Sequence, residues 1–73
     1  MWEYIGQEQR GCSKCGKVKT YEVLQSGIHK ALYINGVMTY AFTNRGSEAD
    51  PKWVAIALKD ARLYGAPETY NGH

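Results

Sequence analysis

The stretch KALYINGVMTYAFTN, residues 30–44, restricts the fold more than any other part of the chain. Two runs rich in apolar and aromatic residues flank Asn35-Gly36, a dipeptide that tolerates the positive φ angles of a two-residue hairpin turn. The pattern predicts a β-hairpin with strands at 30–34 and 37–43. Alternation along the first strand sets Leu32 and Ile34 on one side and Ala31 and Tyr33 on the other. An isolated hairpin is marginal in water, so the remaining residues must extend it or pack on it.

Upstream, KVKTYEVLQ (17–25) reads as another strand, with Tyr21 and Val23 on one side and Val18, Thr20 and Leu24 on the other. Ser26-Gly27 ends it. WEYI (2–5) reads as a short strand that the polar, glycine-bracketed GQEQRG interrupts. Downstream, TNRGSEAD is a loop, and a helix is predicted after it. Asp50 suits the cap, Pro51 suits the first turn, and Val54, Ala57, Leu58 and Ala61 recur at helical spacing. Trp53, Ile56 and Tyr64 broaden that stripe, Gly65 closes the helix and Pro67 prevents its resumption. The expected fold is α+β: a small antiparallel sheet of three to four strands packed by one C-terminal helix. Trp53, Val54 and Leu58 are expected to meet Leu32, Ile34 and Met38. Residues 1–66 form the single domain, and PETYNGH (67–73) is expected to be a flexible tail.

With 73 residues, a chain buries only about 60% of the surface that its unfolded form exposes. A metal, disulfide or partner would therefore help it. Its two cysteines lie together in GCSKCGK (11–17), which resembles one knuckle of a zinc ribbon. Structural zinc is four-coordinate, and the position matching the second knuckle is SGIH (26–29), where only His29 can ligate. Cys12, Cys15 and His29 are thus the candidate metal ligands. The alternatives are a pair of free thiols and, less in keeping with the strand that follows, a redox pair. No cofactor is the first expectation, with zinc as the alternative.

Nothing in the pattern points to catalysis. Glu22, Glu48, Asp50, Asp60 and Glu68 are scattered, Ser26 and His29 have no third partner, and the glycines sit at turns rather than in a phosphate loop. No small-molecule substrate is expected. Neither a secretory leader nor an apolar run of the roughly 18 residues that span a bilayer is present, so the expectation is a cytoplasmic protein without membrane contact.

Two binding readings remain. Six tyrosines and two tryptophans exceed what so small a sheet can hide. Trp2 and Tyr4, with Tyr33 or Tyr40, are candidate anchors of a protein interface, and Gln7, Glu8 and Arg10 are its candidate rim. Alternatively, Lys14, Lys17, Lys19 and Lys30, together with Arg10 and interleaved with Tyr21 and Tyr33, form a nucleic-acid surface. The balance of nine Lys/Arg against seven Asp/Glu is too even to decide between them.

In length, in its aromatic start MWEYI, in the isolated CSKCGK and in its PETYNGH end, the chain resembles small bacteriophage-encoded regulators of the host-takeover type found in Xanthomonas phages. The resemblance implies binding to a large subunit of bacterial RNA polymerase in the host cytoplasm, loosening of the σ factor, suppressed initiation and antitermination. It carries no residue role onto this sequence.

Overall fold

Antiparallel pairing accounts for most of the computed structural model, which describes residues 1–12, 14 and 16–71, Cys12 by its backbone alone. Among these residues, β1 (Glu3–Cys12), β2 (Lys17–Ser26), β3 (His29–Ile34), β4 (Val37–Asn44) and β5 (Trp53–Ile56) lie side by side in chain order, and α1 (Leu58–Leu63) follows. The architecture is α+β, with five strands where three to four were expected. No described helix is long and apolar enough to cross a membrane.

The Asn35-Gly36 turn forms as the sequence dictates, with φ of 53° and 82°. Alternation in β2 and β3 also holds, and it gives the sheet two apolar sides. Leu24, Ala31, Tyr33, Met38 and Ala41 share one side with Ala61 and Ala66, and Ile56 and Leu58 pack against them. Tyr21, Val23, Leu32 and Phe42 share the other, bordered by Ile34 and Trp53. The helix sits on the Ala31–Tyr33 side, opposite to the expected Leu32–Ile34 side. Alanine at 31, 41, 61 and 66, all nearly or fully buried, leaves room for α1 close to the strands.

One extra residue decides this arrangement. Leu32 pairs with Tyr40 but Tyr33 pairs with Met38, so Thr39 is a bulge. A bulge shifts the side-chain parity of its strand. Met38 therefore joins Tyr33, while Tyr40 and Phe42 turn to the opposite side. A second bulge at Ile5, between the Tyr4–Leu24 and Gly6–Val23 pairs, lets β1 run through the expected break at GQEQRG.

Two further expectations are corrected. Residues 53–56 pair with β4 instead of starting a helix. Trp, Val and Ile there suit a strand, and pairing satisfies the backbone edge of β4. Asp50 and Pro51 belong to the preceding loop, where the Asn44 side-chain oxygen accepts from the Gly46 and Lys52 amides at 2.8 and 2.9 Å. The helix begins after Ala57 without a side-chain cap, and Gly65 closes it at φ 100°. The presumed tail is also tied down. Met38 N–H donates to Glu68 O, Tyr70 N–H donates to Gly36 O, and Thr69 bridges to Val37. Gly72 and His73 lie outside the described residues.

Tyr33 joins these parts. It is fully buried, its hydroxyl donates to Pro67 O at 2.6 Å, and burial pushes its phenol up to about 12. Since the folded form holds this proton more tightly than the unfolded form, stability should fall as pH rises from about 10 to about 12. Tyr33→Phe should cost about 1 kcal/mol at neutral pH and make that alkaline loss shallower. Urea denaturation across the pH range checks both; an unchanged alkaline limb in the variant would refute the assignment.

Candidate binding face

β1 and β2 pair along their whole lengths, but β2 meets β3 only from Glu22 onward. The outer part of the β1–β2 ribbon therefore reaches beyond the last β2–β3 pair as a two-stranded arm. Gly11 is required in it: a Cβ there would collide with the Lys17 carbonyl oxygen, and its φ is +147°. Register places Glu8 opposite Tyr21 and Arg10 opposite Lys19. These side chains, with Lys17 further out, point to the side that α1 does not cover.

On that side the cations lie on rings. The Arg10 guanidinium is 5.4 Å from the centre of Tyr40 and 5.1 Å from that of Phe42. The Lys30 ammonium is 5.6 Å from Phe42 and 4.5 Å from Trp53. Tyr21 meets Tyr40 edge-on at 5.6 Å, and Tyr40 stacks beside Phe42 at 6.3 Å. Glu8 joins the two cations, with its carboxylate oxygens 2.9 Å from Arg10 and 3.2 Å from Lys30. Burial raises the Glu8 carboxyl, but hydrogen bonds and charge from Arg10 and Lys30 outweigh it, leaving the pKa below the usual carboxylate value. Burial, and Tyr40 beside it, raise the Tyr21 phenol, so that hydroxyl stays a neutral donor at physiological pH. Two shallow depressions open here. One of about 380 Å³ lies between Arg10, Lys17, Lys19, Tyr21 and Tyr40, and one of about 310 Å³ lies between Glu8, Val23, Lys30 and Trp53.

The candidate residues divide between the two sides. Trp2 and Tyr4 pack on the helix side: the Trp2 indole N–H donates to Tyr64 O at 3.1 Å, and Tyr4 stacks on Tyr70 at 5.8 Å. Gln7 donates to Glu22 at 3.0 Å. Glu8 and Arg10 lie on the opposite side, so the five do not form one patch. Tyr33, named as an exposed anchor, is core. In contrast, Lys17, Lys19, Tyr21 and Lys30 do share the uncovered side, and Lys14 stands exposed at the tip of the arm. Phe42 and Trp53 complete the face and were missed. Phe42 follows Tyr40 at strand spacing, a signal the sequence carried, whereas Trp53 was hidden by the helical reading of its segment.

His29 is separated from the Cys12 backbone by the length of β2. It pairs with Ser26 at one end, Cys12 pairs with Lys17 at the other, and ten strand residues span about 30 Å. Its Nδ1 lies 3.1 Å from the Thr43 hydroxyl, and its ring stacks on Tyr64 at 4.0 Å. The backbones of His29 and Cys12 therefore lie at opposite ends of β2. Cys15 lies outside the described residues. Among the described residues, no three His, Cys, Asp or Glu side chains are grouped to hold a metal.

Comparison with protein-family models, with curated proteins and with solved structures returned no significant match.

Glu8→Gln tests the central ion cluster. The lowered carboxyl contributes stability above the usual carboxylate pKa, and that contribution is lost as pH falls through the folded value. The variant should lose about 1 kcal/mol at neutral pH and should denature less steeply in acid. Parallel acid titrations followed by tyrosine and tryptophan fluorescence check this, and coincident acid limbs would overturn it.

Proposed function

We propose that the chain is a non-enzymatic transcription regulator of the bacteriophage type, acting in the host bacterial cytoplasm. It binds a large subunit of host RNA polymerase, inhibits initiation by loosening or displacing the σ factor, and promotes read-through of terminators. The partner is suggested by the sequence resemblance, and the binding surface by the uncovered sheet side. The observation that carries the reading is the cluster of Arg10, Lys30, Tyr40, Phe42 and Trp53 arranged around Glu8. Arg, Tyr and Trp are the side chains that most often dominate protein–protein binding energy, because they combine large contact area with directional polar groups. Glu8 supplies the opposite charge that fixes register on a partner.

Direct binding of nucleic acid is the second reading. It is favoured by the placement of Lys17, Lys19, Tyr21 and Lys30 on one side of the sheet.

Purified bacterial RNA polymerase holoenzyme, immobilised and treated with nuclease, should retain the full chain. Adding the chain should reduce promoter-initiated transcripts and increase read-through of an intrinsic terminator. The double variant Arg10→Ala, Tyr40→Ala should bind at least tenfold more weakly, as loss of two anchors implies. Absence of nuclease-resistant binding, or an unchanged transcript pattern at saturating protein, would overturn the polymerase reading.

A further inference from the structure

Arg10 and Lys19 face each other directly across the β1–β2 ribbon, and Lys17 follows on the same side. Like charges opposed on neighbouring strands destabilise a sheet. Arg10 is relieved by Glu8, but among the described residues neither Lys17 nor Lys19 has an ion-pair partner. The three cations line one open slot of about 380 Å³ with Gly11, Tyr21 and Tyr40, and no described lining residue carries a carboxylate. A local rule broken with compensation for only one of three cations suggests further compensation from outside the fold.

We propose that this slot binds single-stranded nucleic acid: backbone phosphate enters between Arg10, Lys17 and Lys19, a base stacks on Tyr40, and the Glu8 carboxylate is the internal anion that phosphate displaces. The inference rests on the nucleic-acid reading and is independent of the polymerase reading. Its chemistry follows from the residues present. Phosphate supplies the negative charge that the arm lacks. Tyr40 is 42% exposed on an open sheet side, and a ring in that position takes an unpaired base of any identity. Bases in a duplex present edges rather than faces, so the slot favours a single strand. The Arg10 guanidinium now covers Tyr40, and its ion partner is the partly exposed Glu8. Turning toward phosphate exposes the ring and exchanges one anion for another at the same cation. The surface continues past Arg10 to Lys30 over Phe42 and Trp53, which extends it beyond one nucleotide.

The full chain is titrated into a short fluorescein-labelled single-stranded oligonucleotide of mixed sequence and into its duplex, with anisotropy read at several salt concentrations. The single strand should bind more tightly than the duplex. Lys17→Ala with Lys19→Ala should weaken binding at least tenfold and reduce the log–log salt slope by about 1.4, the value for two phosphate contacts on a single strand. Tyr40→Ala should weaken binding about tenfold while Tyr40→Phe retains it, and Glu8→Gln should tighten it severalfold. Far-UV circular dichroism confirms that each variant is folded. Duplex preference, indifference to Tyr40→Ala, or no gain from Glu8→Gln overturns the inference while leaving nucleic-acid binding standing. No binding of either oligonucleotide at low salt overturns both.

Discussion

The bulge residue Thr39 governs the distribution of side chains along β4. Without it, Met38, Tyr40 and Phe42 would all point one way, since strand residues alternate strictly. The helix side would then lose Met38 from its core, or the uncovered side would lose both rings on which Arg10 rests. By shifting parity once, the bulge divides a continuous apolar strand between two purposes. Met38 supports the core under α1, and Tyr40 and Phe42 become the base of a cationic surface. Bulges re-aim side chains in just this way.

Much of this fold was legible where a local signal acts alone. Asn35-Gly36 fixed the central hairpin through its backbone preferences, and Tyr21, Val23 and Leu24 announced the two sides of β2 by alternation. Legibility ended where long-range pairing outweighed local pattern. Trp53, Val54 and Ile56 fit helical spacing and strand alternation equally well over so short a window, and the unpaired edge of β4 decided between them. Tyr70 looked like an isolated aromatic in a polar tail, yet it packs between Tyr4 and Tyr33 because the chain after α1 returns to the Asn35-Gly36 turn. The candidate face was readable as a set of types, basic residues interleaved with rings. Its membership was not, because the positions of the Ile5 and Thr39 bulges leave no mark in composition. His29 illustrates the converse: spacing along the sequence suggested a ligand beside the cysteines, and an intervening strand carried it to the far end of the sheet.

The uncovered side solves a problem inherent to a sheet with one short helix. An apolar side left to water would invite association, and among the described residues no second helix covers it. Long cationic side chains provide the cover instead. Arg10 and Lys30 set their charged ends over Tyr40, Phe42 and Trp53, and Phe42 beneath them is buried. Each cation–ring contact at such a site contributes about 0.5–1 kcal/mol, and Glu8 holds the two cations at a common point. The cover is thus polar outside and apolar beneath.

The cost of displacing that cover separates it from the helix side. Removing α1 from Ala31, Tyr33 and Ala41 would expose core and break the Tyr33–Pro67 hydrogen bond, a cost comparable to unfolding a domain whose whole stability is on the order of 5–15 kcal/mol. Moving Arg10 away from Tyr40 gives up a contact worth about 1 kcal/mol and one partly exposed ion pair, which a new anion or acidic side chain restores. A partner can therefore reach the rings on one side of the sheet at a cost that its own charge repays, while the other side keeps the strands in register. That difference in cost, set by whether a ring is covered by the helix or by a charged side chain, is what distinguishes the two sides of this small sheet.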